Sequence, residues 1–196
     1  RIPNVQRKIL SEGAISAAFI PVFTEVRKEK GEEEVWKMTS NLFNILLTVL
    51  ITSSLALAIF APYIIIIFAP GFIPSPEKFN LTVLLTQWMA PYFLFIGLAV
   101  FFMGILNTYN IFALPAITPA ILNICMILGT LLISPQLNQP ILGLAIGVVF
   151  GGFLQFIIQI PATLKCGFKF IPSVKWKNKE ALRICKLMIP AIFGLA

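Results

Sequence analysis

From Met38 to Pro76, and again from Phe79 to Leu164, the chain carries no Asp, Glu, Lys, Arg or His. A water-soluble domain cannot cover its surface with so little charge, so these two runs constrain the fold more than any motif does. The second run is 86 residues long, enough for three membrane spans of roughly 20 residues with turns between them. Composition agrees: 58% of the 196 residues are hydrophobic, 12% are charged, and mean hydropathy is +0.92. The predicted class is all-α, a polytopic transmembrane helix bundle.

Breakers divide the runs. Ser40 is placed to cap a helix over 41–68, and Ala69-Pro70-Gly71-Phe72-Ile73-Pro74-Ser75-Pro76 ends it, because three prolines and a glycine cannot continue a helix. Further spans are expected over 81–106, kinked at Pro91, over 115–133 and over 141–164, with polar turns at 107–114 and 134–140. In the last span Gly143, Gly147, Gly151 and Gly152 form a small-residue pattern that lets helices approach closely. Residues 25–40 read as a charged cytoplasmic loop or short surface helix, 165–186 as a basic loop with seven Lys/Arg against Glu180 whose part 175–186 forms a surface helix, and 187–196 as the start of another span. The first residue is Arg1 and the last lie in an apolar run, so the chain reads as a piece of something larger. The segments 25–37, 107–114 and 165–186 hold eleven Lys/Arg, whereas 69–78 and 134–140 hold one. The positive-inside rule puts the first set in the cytoplasm.

That bias also accounts for the net charge of +7 without nucleic acid, for which there is no aromatic-basic motif. Cys125, Cys166 and Cys185 lack CxxC spacing and there is no histidine, so no metal site is expected and the thiols read as free and structural. No paired carboxylates, Ser/His/Asp or Cys/His set, nucleotide motif or phosphate-cradling glycine loop is present. The reading is not an enzyme, with no catalytic residues and no cofactor.

The opening segment differs from the rest. On a helix turning about 100° per residue, Arg1, Asn4, Arg7, Lys8, Ser11 and Glu12 fall within an arc of roughly 140°. Lys8 and Glu12 are spaced to pair, which leaves the planar fork of Arg7 for an anion. If residues 1–24 end a helix running down to the cytoplasm, these charges lie above the loop, where they need a partner or a water-filled cavity. The arc suits a phosphate-bearing ligand; a solvated helix end has the same pattern. Gln155 and Gln159, four apart, put two amides on one helix face, either as cavity lining or as glue between helices.

Several stretches in order resemble the MurJ/MviN lipid II flippases of the multidrug/oligosaccharidyl-lipid/polysaccharide exporter superfamily. They are Arg1-Ile2-Pro3-Asn4 with Arg7-Lys8 and Ser11-Glu12-Gly13-Ala14, Ala69-Pro70-Gly71-Phe72, Ile105-Leu106-Asn107-Thr108-Tyr109-Asn110, Pro115-Ala116 and Pro119, Leu122-Asn123-Ile124, Gly151-Gly152-Phe153-Leu154-Gln155, and Gln159-Ile160-Pro161. The resemblance implies part of the N-terminal lobe of a two-lobed transporter, from the end of its second helix to the start of its seventh. It implies movement of lipid II, the undecaprenyl-pyrophosphate-linked disaccharide-pentapeptide, to the outer leaflet of the bacterial inner membrane by alternating access. Arg7 then matches the family's cavity arginine that engages pyrophosphate, with Lys8 and Glu12 beside it, Arg1 as a further substrate-binding residue, and Asn4, Gln155 and Gln159 as candidate cavity lining. Ion coupling and contact with membrane lipids are further implied partners. Ile111 stands where many members carry Arg or Lys, which weakens the case for a substrate contact at that loop. The alternatives left open are a flippase for another polyprenyl-pyrophosphate-linked oligosaccharide and a non-transporting membrane scaffold.

Overall fold

A computed structural model describes residues 14–172 and Arg183, with side chains from Phe19 onward. Among these residues there are helices and turns and no strand. We number the α-helices α1 (Ala14–Ile59), α2 (Ala61–Phe68), α3 (Pro76–Thr108), α4 (Ala113–Leu128), α5 (Ile141–Ile157) and α6 (Ile160–Lys165). Short 3₁₀ turns occupy Pro70–Phe72 and Ser134–Gln136, and α4 runs on into a π-helical turn over Gly129–Ile133. Four helical stretches, Phe19–Ile59, Pro76–Thr108, Ala113–Gln136 and Ile141–Lys165, are long and apolar enough to cross a membrane.

Of the two forms expected around residues 25–40, loop or short surface helix, the chain takes the helical one, on both sides of Gly31. Gly31 has φ 84° and ψ 177°, a conformation open almost only to glycine. The ring centroids of Phe23 and Trp36 are 5.6 Å apart. Thirteen residues of straight helix would separate them by roughly 20 Å along the axis, so the chain doubles back at Gly31. Its charges favour the reversal, because Arg27, Lys28 and Lys30 precede it at a helix C-terminus and Glu32, Glu33 and Glu34 follow at an N-terminus. Ion pairs of Lys37 with Glu33 (2.8 Å) and Glu34 (3.0 Å) add one-turn spacing on the second arm.

The expected 41–68 span is interrupted at Phe60, which caps α2 ahead of Pro62 in its first turn. Pro76 and Glu77 likewise open α3, with the acid at the positive end of the helix dipole.

The chain divides into two compact units. Unit 1 takes the described residues up to Leu46, Val100–Ala116, and those from Ile158 onward. Its core is aromatic: Phe19, Phe23, Trp36, Phe43, Phe101, Phe102 and Phe168 are all buried, with Phe43 stacked on Phe102 at 5.6 Å and edge-on to Phe168 at 5.7 Å. Ser40, expected as a helix cap, lies inside α1 instead. Its Oγ accepts the Ile171 N–H at 2.7 Å and donates to the Ile171 carbonyl at 3.1 Å, and Asn44 Nδ2 donates to the same carbonyl at 2.6 Å. These bonds pin the segment after α6 across 131 residues of sequence. Asn44→Ala is expected to cost about 1 kcal/mol and to speed limited proteolysis within 168–172.

Unit 2 takes Leu47–Ala99 and Ile117–Ile157. Small residues bring its helices together. A Cβ placed on Gly129 would lie 2.5 Å from the Gly143 carbonyl oxygen, and one on Gly147 would lie 2.6 Å from that of Cys125. The two backbones therefore touch, which is how helices associate where lipid removes the hydrophobic drive. Ser54 Oγ donates to the Ala90 carbonyl at 2.8 Å, tying α1 to α3. Large apolar side chains on the outer faces, such as Ile124, Leu131 and Phe150, are more than half exposed, as suits a surface that meets acyl chains.

Candidate functional site

Of the residues singled out from sequence, Arg1, Asn4, Arg7, Lys8 and Glu12 lie outside the described residues. Gln155 and Gln159 are described and almost wholly buried, at 3% and 1% exposure. Gln155 Nε2 donates to the Thr118 carbonyl at 2.7 Å, which ties α5 to α4. Gln159 caps α6 and its carbonyl accepts from the Thr163 hydroxyl at 2.8 Å. Both side chains are buried, and the Gln155 bond to Thr118 is a contact between helices of the kind that the spacing allowed.

The charged end of unit 1 holds a second cluster. The Arg27 guanidinium lies 4.9 Å from the centroid of the Tyr109 ring, whose other neighbours are Trp36, stacked at 5.9 Å, and Phe23. Arg27 also pairs with Glu32 across the Gly31 reversal. Gly167, at φ 105°, comes up under Trp36, so that a Cβ there would meet the indole Nε1 at 3.0 Å. The Asn107-Thr108-Tyr109-Asn110 motif closes α3. The Ile111 N–H reaches back to the Leu106 carbonyl at 3.0 Å and Asn110 takes φ 59°, the left-handed geometry that ends helices. Its residues serve as a cap and a packing platform. With Arg27 held by a carboxylate and a ring, this cluster offers no spare cation for a pyrophosphate. The stripe at Arg7 and Lys8 remains the candidate for that role.

The Tyr109 hydroxyl is buried and makes no hydrogen bond among the described residues. Burial first, then the Glu32 carboxylate and the Cys166 thiol, pushes its pKa up against the pull of Arg27, so the phenol stays neutral. Tyr109→Phe removes an unsatisfied buried donor and keeps the ring. We expect thermal stability to hold or to rise, by up to about 1–3 kcal/mol; a lower melting temperature would mean that the hydroxyl has a partner. Sequence reasoning missed this cluster because its parts lie some seventy residues and more apart and no local spacing joins them. A further long-range pair, Arg183 to Glu25 at 2.7 Å, is exposed to solvent and adds little stability.

The family model described as "Lipid II flippase MurJ" matches residues 1–196. The probable lipid II flippase MurJ of Buchnera aphidicola subsp. Acyrthosiphon pisum is 37% identical over 194 residues, covering 99% of this chain and 38% of the relative. The lipid II flippase MurJ of Burkholderia cenocepacia is 32% identical over 202 residues, covering all of this chain and 39% of the relative. A solved structure described as lipid II flippase MurJ in an inward closed conformation superposes with a TM-score of 0.79 at 31% identity, over 99% of this chain and 39% of that one. The chain thus spans about two-fifths of the length of the relatives it matches. A helical membrane chain matched over its whole length by one family model, with relatives and a solved structure above 30% identity, belongs to the lipid II flippase MurJ family.

Proposed function

We propose that the protein containing this chain carries lipid II from the cytoplasmic to the outer leaflet of the bacterial inner membrane. The observation that carries the reading is the family match across all 196 residues, joined to a cationic stripe, Arg7 and Lys8 with Glu12, at the start of a chain otherwise nearly free of charge within its spans. Arg7 and Lys8 engage the pyrophosphate, with Arg1 a turn or two above, and Glu12 supplies a carboxylate that moderates the hold so that the ligand can leave. The headgroup crosses in a water-filled cavity while the polyprenyl tail stays in the bilayer, as the lobes of the whole transporter alternate in access. No covalent step is involved. The charge being moved makes coupling to an ion or to membrane potential part of the proposal, at about 2.3 kcal/mol per charge per 100 mV.

The test is complementation of bacteria depleted of their own flippase by the full-length parent carrying Arg7→Ala or Arg7→Lys, with membrane insertion confirmed for each. Loss with Ala and partial activity with Lys supports the reading. Growth of Arg7→Ala equal to the parent removes the pyrophosphate site.

A further inference from the structure

Between the first turns of α3 and the turn that leads into α5, unit 2 contains an open cleft of about 720 Å³. Its polar lining is exposed, Glu77, Asn80 and Gln87 from α3 with Asn138 and Gln139 from the turn, and forms a rim around the half-buried apolar Leu81 and Leu84, its floor. One donor of Gln87 is used, at 3.2 Å, on the Ala58 carbonyl, which fixes that amide in place. The side chains of Asn80, Asn138 and Gln139 make no hydrogen bond among the described residues. Carboxamides donate and accept at once, so the rim matches groups that do the same. Glu77 is the one charged residue lining it.

We propose that this cleft binds a short peptide carrying small apolar side chains and a primary amine. Each peptide unit presents one N–H and one C=O, which the carboxamide rim can pair in turn, while small side chains cover the Leu81 and Leu84 floor. An amine answers the Glu77 carboxylate. A sugar is the poorer fit, because no aromatic ring lines the cleft for a pyranose face to stack on. The positive-inside assignment puts the segments 69–78 and 134–140 on the outer side, where a carried headgroup arrives. The inference rests on the lipid II reading only in taking the pentapeptide of that headgroup as the source.

The test is a ligand-observed NMR titration of the detergent-purified full-length parent with three probes: N-acetyl-alanyl-lysyl-alanine amide, the same peptide with leucine for lysine, and N,N′-diacetylchitobiose. The lysyl peptide is expected to bind saturably and more tightly than the other two. Glu77→Gln should weaken it about two- to fivefold, the scale of an exposed ion pair, and Asn80→Trp, which fills an exposed rim position, should abolish it. Absence of saturable binding, tighter binding of the sugar, or unchanged binding in either variant would overturn the proposal. Arg7→Ala should leave the peptide titration unaltered. A null titration beside an Arg7-dependent complementation leaves the pyrophosphate site standing and removes the cleft; an Arg7-independent complementation beside a cleft-dependent titration removes the pyrophosphate site and leaves the cleft standing.

Discussion

Gly147→Leu is expected to prevent assembly of unit 2, with a loss of stability above about 3 kcal/mol, the upper range for overpacking. At this position an added Cβ stands 2.6 Å from the Cys125 carbonyl oxygen and 3.1 Å from the Met126 Cα. Both obstacles are backbone, so no rotamer change relieves them, and α5 must move off α4. The separation would also strain the Gln155 bond to Thr118 and the packing of Gly129 on Gly143. Fluorescence-detected size exclusion of the full-length parent on a temperature ramp measures the effect. Gly71→Ala is the control, since nothing lies within 4 Å of a Cβ there. Equal melting of parent and Gly147→Leu would show that the α4–α5 contact does not hold the unit together.

Arg7→Ala is expected to abolish growth in the depletion assay while the protein still inserts. The planar guanidinium can bond two phosphate oxygens side by side, and charge-assisted hydrogen bonds are worth about 1.5–3 kcal/mol each. Arg7→Ala loses both, and the loss of even one lowers affinity for the pyrophosphate roughly 10- to 150-fold. Arg7→Lys retains a cation but presents a point charge in place of the fork, so partial activity is expected. Direct lipid II binding to purified variants should follow the same order as growth. Binding by Arg7→Ala with parental affinity would relocate the pyrophosphate contact.

How far the sequence discloses this architecture depends on whether the signal is local. Charge-free runs and Pro/Gly breakers located the spans, because a helix in lipid has few ways to hide a charge or to continue through three prolines. The interruption at Phe60 was present in Pro62, yet the uniform apolarity of 41–68 masked it. The reversal at Gly31 was also written locally, as lysines, a glycine, then three glutamates. It read as a loop or short surface helix because charge density signals solvation, while Lys and Glu are also good helix formers. Ser40 shows the other kind of failure. Its local context suggests a cap, but its partner is Ile171, and nothing near position 40 encodes that. The same holds for Tyr109 with Arg27 and Trp36. For Gln155 the spacing left lining and glue both open, and its bond to the Thr118 carbonyl is a long-range contact that no local pattern encodes. The pyrophosphate candidates came from helical spacing and family resemblance together, and they fall in the segment ahead of Ala14.

A reversal made by a single residue has two rotatable torsions and no spare length of chain. The arms that precede and follow Gly31 therefore cannot slide past one another; they can only open, close or twist about that point. The Arg27–Glu32 pair straddles it, and the Phe23–Trp36 contact closes the angle, eight residues before Gly31 on one arm and five after it on the other. Any displacement of the first arm, from whatever source, must register as a torsional change at Gly31 or as a loss of those two contacts. The hairpin thus works as a pivot with a clasp, and a pair of spectroscopic labels on its arms would read its angle directly.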